Sequence, residues 1–91
     1  MNTQDTNSRV TALIAEIVEV EPDTVGAKTR LREDLGMDSL QSLELLSTLS
    51  EELRIDLEME EAMDIETVAD ACAFVHRNLV AQRGVAVQAG A

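Results

Sequence analysis

The chain has 91 residues and a net charge of −11, from 18 acidic and seven basic residues, with a single cysteine. This length predicts one small domain whose core cannot also enclose a sizeable catalytic cleft, so we expect a protein that is not an enzyme. The negative charge argues against binding to nucleic acid or to an anionic membrane and favours basic protein partners, while one cysteine cannot form an internal disulfide.

No apolar run has the length of a membrane span, and the polar start MNTQDTN lacks the basic and hydrophobic regions of a signal peptide. We therefore expect a cytoplasmic protein, and we predict that it is a monomer. The acidic cluster around residues 58–64 lacks the spacing and the glycine of a calcium loop, so no metal site is predicted.

The first helix is predicted from about Asn7 or Ser8 to about Val20, after a disordered tail of residues 1–7. Its apolar residues recur at helical spacing: Val10, Leu13, Ile14, Ile17 and Val18. Pro22 then ends regular structure, and the segment up to Asp38 is long for a connection in a small helical domain. We expect its apolar residues to hold it across the core: Val25, Leu31 and Leu35.

The second helix is predicted from Ser39 to about Leu53 or Arg54. Gly36 allows a turn before it, and Asp38 is a favoured N-cap residue. The apolar positions that define the helix are Leu40, Leu43, Leu45, Leu46, Leu49 and Leu53. Ser39 therefore lies in the first turn, where an attached phosphate would meet the positive end of the helix dipole. Taken alone, a serine beside an aspartate at a helix start is more often part of a cap than an attachment site.

A short helical turn is predicted over residues 60–63, followed by a last helix from about Glu66 to Gln82. This last helix is expected to bury Val68, Ala71, Cys72, Val75 and Leu79, with Phe74 at its edge. Gly84 should end it, so that the domain covers residues 8–83 and residues 84–91 form a disordered tail. Three methionines are adaptable enough either to fill gaps or to repack around a guest: Met37, Met59 and Met63.

From about Val10 to Leu79 the chain resembles the acyl carrier protein family. The resemblance depends on LGMDSL at residues 35–40, on the long loop and leucine-rich helix around it, and on EMEEAMDIETVADACAFV after it. It implies an all-α fold, a four-helix bundle with a long loop after helix one and a short third helix. It also implies that Ser39 carries a covalent 4′-phosphopantetheine arm, installed from coenzyme A by a phosphopantetheinyl transferase.

By the same resemblance, acyl intermediates would be held as thioesters on that arm, and the interior between the second and fourth helices would open around the acyl chain. The partners implied are acyltransferases, ketosynthases and other acyl-processing enzymes, whose basic patches meet the second helix. The docking residues predicted on this chain are Asp38, Leu40, Leu43, Glu44, Glu51 and Glu52.

Two features of the second helix favour a dedicated pathway, such as polyketide or mixed polyketide and peptide synthesis, over housekeeping fatty-acid synthesis. Gln41 and Ser50 are neutral where fatty-acid-type carriers are frequently acidic, and Ser47 is polar where they often expose an apolar residue. Two alternatives remain open. One is a peptidyl or aminoacyl carrier, against which Asp38 counts because those carriers more often place histidine before the serine. The other is an unmodified helical adaptor, in which Ser39 is only a cap.

Overall fold

The computed structural model describes residues 3–84, which form four α-helices and one short 3-10 helix. The helices are α1 (Thr3–Val18), α2 (Ser39–Leu53), α3 (Met59–Ala62) and α4 (Val68–Arg83), and the 3-10 turn spans Pro22–Thr24. Between residues 3 and 84 there is no strand, only an isolated bridge between Arg30 and Thr67. The predicted all-α bundle, with its long first loop and short third helix, is confirmed. None of the described helices is long and apolar enough to cross a membrane.

Helix α1 begins about one turn earlier than predicted and ends two residues sooner. Thr6, only 1% exposed, precedes Val10 by four residues and therefore extends the buried face of the helix. The sequence did not indicate this because threonine does not register as an apolar position. At the other end, Glu19 has a left-handed backbone conformation with φ of 59°, which stops the helix. Residues 3–7, predicted as part of a disordered tail, are thus helical, and residues 85–91 of the other predicted tail lie outside the described residues.

The long loop between α1 and α2 is hydrogen-bonded to the start of α4. Val68 N–H donates to the Thr29 carbonyl at 3.0 Å, and Ala69 N–H donates to the Ala27 carbonyl at 2.9 Å. The first N–H groups of a helix have no partner within the helix, so the loop supplies two of the missing acceptors. Leu31 is buried beside this contact. The prediction that the loop is held against the core is therefore confirmed.

The same end of α4 carries a capping box formed by Thr67 and Asp70. The Thr67 hydroxyl accepts from Asp70 N–H at 3.2 Å, and the Asp70 carboxylate accepts from the N–H groups of Glu66 and Thr67, each at 3.1 Å. These backbone hydrogen bonds lower the pKa of Asp70 below its ordinary value of 3.8. The carboxylate form is therefore the one that stabilises the helix start.

Because the folded-state pKa of Asp70 is depressed, its stabilising effect is complete above the ordinary pKa and is lost as pH falls through the folded value. We expect Asp70→Asn to lower the melting temperature at pH 7, and the difference from wild type to shrink on acidification below about pH 4. Thermal unfolding at pH 7 and pH 3 measures this. Asp64→Asn, at an exposed position, is the control for the charge change alone. A deficit of equal size at both pH values would contradict the assignment.

The core is built of aliphatic side chains around one aromatic ring. Phe74 is only 2% exposed and ranks among the largest fully buried side chains, so its predicted place at the edge of α4 was wrong. The other buried residues predicted on α4 are confirmed, and burial raises the pKa of the Cys72 thiol. His76 of the same helix is half-buried, and its Nδ1 has no hydrogen-bond partner in the part of the chain described.

The leucines of α2 divide between two faces. The buried members are Leu45, Leu46, Leu49 and Leu53. Leu40 and Leu43, which the spacing placed in the same apolar stripe, are 74% and 49% exposed. The buried stripe is therefore narrower than the sequence suggests, and two leucines lie on the outer surface near Ser39.

Candidate functional site

Ser39 is the first residue of α2, and a capping box fixes the helix start directly before it. The Asp38 carboxylate accepts from Gln41 N–H at 2.8 Å, and the Gln41 side-chain oxygen accepts from Asp38 N–H at 3.1 Å. Two backbone N–H groups are thereby satisfied reciprocally. The predicted N-cap at Asp38 is confirmed, and Gln41 is identified as its partner.

The turn before Ser39 depends on Gly36, which has φ of 69°. A Cβ atom at this position would meet no other heavy atom within 4 Å, so the backbone conformation and not a lack of space favours glycine. Directly after it, Met37 is 3% exposed and its N–H donates to the Leu31 carbonyl at 2.9 Å. The loop is thus anchored in the core two residues before Ser39.

The Ser39 side chain is exposed and makes no hydrogen bond to any residue of the described region. A hydroxyl in this position is accessible to a modifying enzyme, and a phosphate attached to it would lie at the positive end of the α2 dipole. Ser8 and Ser47 are also exposed, so accessibility alone does not distinguish Ser39. Its place at a capped helix start, inside LGMDSL, does distinguish it.

The predicted docking residues mostly share the exposed side of α2. Leu40, Glu44 and Glu51 are exposed. The spacings from Leu40 to Glu44, then to Ser47 and then to Glu51 are four, three and four residues, so these side chains follow one side of the helix. Leu43 lies beside this line and follows Ser39 by four residues. A surface with apolar and acidic groups therefore runs along α2 away from Ser39.

Glu52 differs from the other predicted docking residues because Arg9 of α1 engages its charge. Arg9 donates from Nε and from one terminal nitrogen to the two Glu52 carboxylate oxygens, each at 2.8 Å. The hydrogen bond from Arg9 lowers the pKa of Glu52. This two-point contact joins α1 to α2 across 43 residues of sequence, and no local sequence pattern indicates it.

Gln41 has a second role beside the cap. Its amide nitrogen donates to the Ile17 carbonyl at 3.4 Å, near the end of α1. An acidic residue at this position could accept from Asp38 N–H but could not donate to Ile17. The absence of charge at Gln41 therefore has a structural reason in this chain.

A small cavity of about 60 Å³ lies among α2, α3, α4 and the loop. Its apolar wall includes the three methionines singled out in the sequence, together with leucines of α2 and Phe74 of α4. Residues of α2 and α4 line this space, at the place where the resemblance implies that the interior opens, and α3 and the loop also contribute to it. Since one water occupies about 30 Å³ in the liquid, any acyl chain of more than a few carbons requires side chains to move.

No group of three potential metal-ligating side chains occurs in the described part of the chain. The acidic residues near α3 are exposed. Within the described residues, the acidic side chains near α3 therefore do not form a metal-binding group.

Residues 8–75 match the family model described as "Phosphopantetheine attachment site". The chain is 35% identical over 81 residues to the acyl carrier protein of Thermosynechococcus vestitus, covering 89% of this chain and 100% of that protein. It is 42% identical over 67 residues to the acyl carrier protein of Treponema pallidum subsp. pallidum, covering 74% and 86%. It is also 34% identical over 86 residues to the non-reducing polyketide synthase tazA of Aspergillus terreus, covering 90% of this chain but 3% of that synthase.

The family match covers most of the chain, and it includes the LGMDSL turn and all of α2. Proteins of this family are non-catalytic carriers that hold a covalent 4′-phosphopantetheine, which a phosphopantetheinyl transferase adds. An exposed serine at a capped helix start, beside a methionine-lined cavity, fits that role. The chain belongs to the acyl carrier protein family.

Proposed function

We propose that Ser39 is the attachment residue for 4′-phosphopantetheine, and that the chain presents acyl thioesters on this arm to enzymes of polyketide or fatty-acid biosynthesis. The observation that supports this most directly is the position of Ser39, exposed at the first residue of α2 within LGMDSL. The partial match to a polyketide synthase and the fuller matches to acyl carrier proteins support both pathways.

In the modification, the Ser39 hydroxyl oxygen forms a bond to the pantetheine-side phosphorus of coenzyme A. The pyrophosphate bond breaks, adenosine 3′,5′-bisphosphate leaves, and the serine proton passes to the transferase. This chain contributes an accessible hydroxyl and the dipole of α2. The Asp38 carboxylate would repel the phosphate, but its hydrogen bond to Gln41 N–H holds part of its charge within the cap.

We further propose that enzymes dock on the exposed residues of α2 near Ser39, which we call the docking face. It consists of Leu40, Leu43, Glu44 and Glu51. Apolar leucines supply contact area, and the two carboxylates complement basic patches on acyltransferases and ketosynthases. Asp38 and Glu52 stay predicted members of the surface, although each already has partners within the chain. We expect the carrier to act as a monomer in the cytoplasm.

Glu44 tests the docking face because it is exposed and lies five residues beyond Ser39. Glu44→Lys is expected to slow modification by the transferase several-fold at low ionic strength, since exposed charges guide association, and the difference should diminish as salt rises. The measurement is the initial rate of phosphopantetheinylation across a salt series. Asp23→Lys, which makes the same charge change in the 3-10 turn, is the control. Equal rates for wild type and Glu44→Lys at low salt would remove Glu44 from the docking face.

The proposed function is tested by incubating the purified chain with coenzyme A and a broad-specificity transferase, and by measuring the intact mass. We expect a gain of one phosphopantetheine group per chain. Loading of that arm by acyl-transferring enzymes, and not by aminoacyl-loading enzymes, would separate an acyl carrier from a peptidyl or aminoacyl carrier. An unchanged mass under conditions that modify a known carrier would contradict the proposal.

A further inference from the structure

The small cavity and a neighbouring surface groove share part of their lining, and we call this shared edge the mouth of the cavity. The groove, of about 330 Å³, lies between the loop and the segment after α3. Three residues line both spaces: Arg32, Met63 and Ile65. A chain passing from the surface into the cavity at this mouth therefore meets one cationic and two apolar side chains.

Arg32 differs from the neighbouring arginine in having no ion pair within the described residues. Arg30 contacts Glu33 and also Asp34, at 3.3 Å for the latter, whereas no acidic side chain lies within salt-bridge distance of Arg32. The backbone holds Arg32 in place, because its carbonyl accepts from Gly36 N–H at 3.0 Å and Leu31 before it is buried. The Arg32 backbone is thus held in place, and its exposed side chain has donors without an acceptor among the described residues.

The cavity wall holds only one other polar side chain. Of the fourteen residues that line it, twelve are apolar, and the exceptions are Arg32 and Ser42. Ser42 is half-buried and follows Ser39 by three residues, so the two serines lie on one side of α2. Its hydroxyl has no hydrogen-bond partner among the described residues. The lining of the cavity is therefore apolar except for two residues whose side-chain donors have no partner among the described residues.

The guanidinium N–H groups of Arg32 and the hydroxyl of Ser42 can donate hydrogen bonds to acceptor oxygens. An alkyl chain offers no acceptor, and packing it against Arg32 would remove water from the guanidinium without replacing the lost hydrogen bonds. The charge of the ligand is restricted as well. The adjoining groove is lined by three carboxylates, from Glu33, Asp64 and Glu66, which outnumber its two guanidinium groups and therefore disfavour an anionic end group. The complementary cargo is therefore an acyl chain with neutral carbonyl oxygens.

We propose that Arg32 and Ser42 select keto-bearing acyl groups over alkyl chains of the same length, with Arg32 at the mouth and Ser42 on the α2 wall. This inference rests on the proposed acyl-carrier function and specifies the class of cargo. It assigns a specificity role to the first loop, a segment outside the docking face.

The test uses three acyl groups of similar length, hexanoyl, 5-oxohexanoyl and glutaryl, transferred with the arm from their coenzyme A thioesters. Intact mass first confirms that each is attached. The readout is the rate at which an excess of 2-mercaptoethanol removes the acyl group by thiol exchange, a reaction that leaves the ketone in place, since a chain held in the cavity is protected. In wild type, we expect 5-oxohexanoyl to be cleaved about threefold or more slowly than hexanoyl, as a hydrogen bond to a charged donor can supply that difference, and glutaryl to be protected less than 5-oxohexanoyl.

Arg32→Met keeps an unbranched apolar side chain and removes the donors, so it should abolish the preference for 5-oxohexanoyl, and hexanoyl, which no longer meets a guanidinium, should be cleaved no faster than in wild type. Ser42→Ala should reduce the preference in part. Arg30→Met, which removes an arginine that lines the groove but not the cavity, is the matched control and should retain it.

An unaltered preference in Arg32→Met would overturn the inference. So would equal protection of hexanoyl and 5-oxohexanoyl in wild type, or strongest protection of glutaryl. An equal change for all three acyl groups in Arg32→Met would place Arg32 against the arm and not the cargo, and would also overturn it. Failure of the proposed carrier function would be seen separately, as no mass gain at all.

Discussion

Ser39→Ala is expected to abolish phosphopantetheinylation while the helical circular dichroism stays nearly unchanged. The substitution removes the only atom of the residue that can bond to the phosphate. It leaves the Asp38–Gln41 capping box in place, because that box uses the side chains of those two residues. Alanine is also the strongest helix former, so the change in stability should stay within ~1 kcal/mol.

Ser47→Ala is the matched control for this substitution. Ser47 is exposed on the same helix, two turns beyond Ser39, and its loss should leave modification intact. Intact mass after incubation with transferase and coenzyme A compares the two variants. A mass gain in Ser39→Ala would show that another residue accepts the arm.

Phe74→Ala should have the largest effect on stability, because Phe74 is the only aromatic residue in the chain and is almost fully buried. Truncating a buried phenylalanine typically costs about 3–5 kcal/mol, through lost burial and the cavity left behind. Here the ring also lines the existing cavity of about 60 Å³, which the substitution would enlarge. For a small domain this is a large share of the free energy of unfolding.

Urea unfolding of wild type, Phe74→Ala and Phe74→Leu measures the effect of the ring. The leucine variant keeps much of the apolar volume and should lose roughly half as much or less. If Phe74→Ala unfolds before urea is added, Phe74→Leu still reports the trend. A cost below ~1 kcal/mol for the alanine variant would contradict a central position for the ring.

The start of α2 was predictable because its signals are local. Gly36 and Asp38 define the turn and the cap within three residues of Ser39, and the leucine spacing follows at once. The start of α1 was not predictable in this way. Thr6 is buried through contacts with the rest of the fold, and its own residue type gives no apolar signal.

Other features of the site depend on contacts between distant parts of the chain. The pairing of Arg9 with Glu52 and the hydrogen bonds from the start of α4 to the first loop join segments far apart in sequence, so local patterns carry no trace of them. The three methionines suggested a deformable interior. The polar contribution of Arg32 to that interior depends on the loop and α3 lining the same cavity, which no local pattern indicates.

Tandem mass spectrometry locates the arm on the chain and so distinguishes Ser39 from every other residue that could accept it. The wild-type chain, modified with coenzyme A and a transferase, is digested, and the peptide that bears the added mass is fragmented. We expect one phosphopantetheine per chain, located on Ser39 within the sequence LGMDSL. An arm located on Ser8, Ser42, Ser47 or Ser50, or on any other residue, would contradict it.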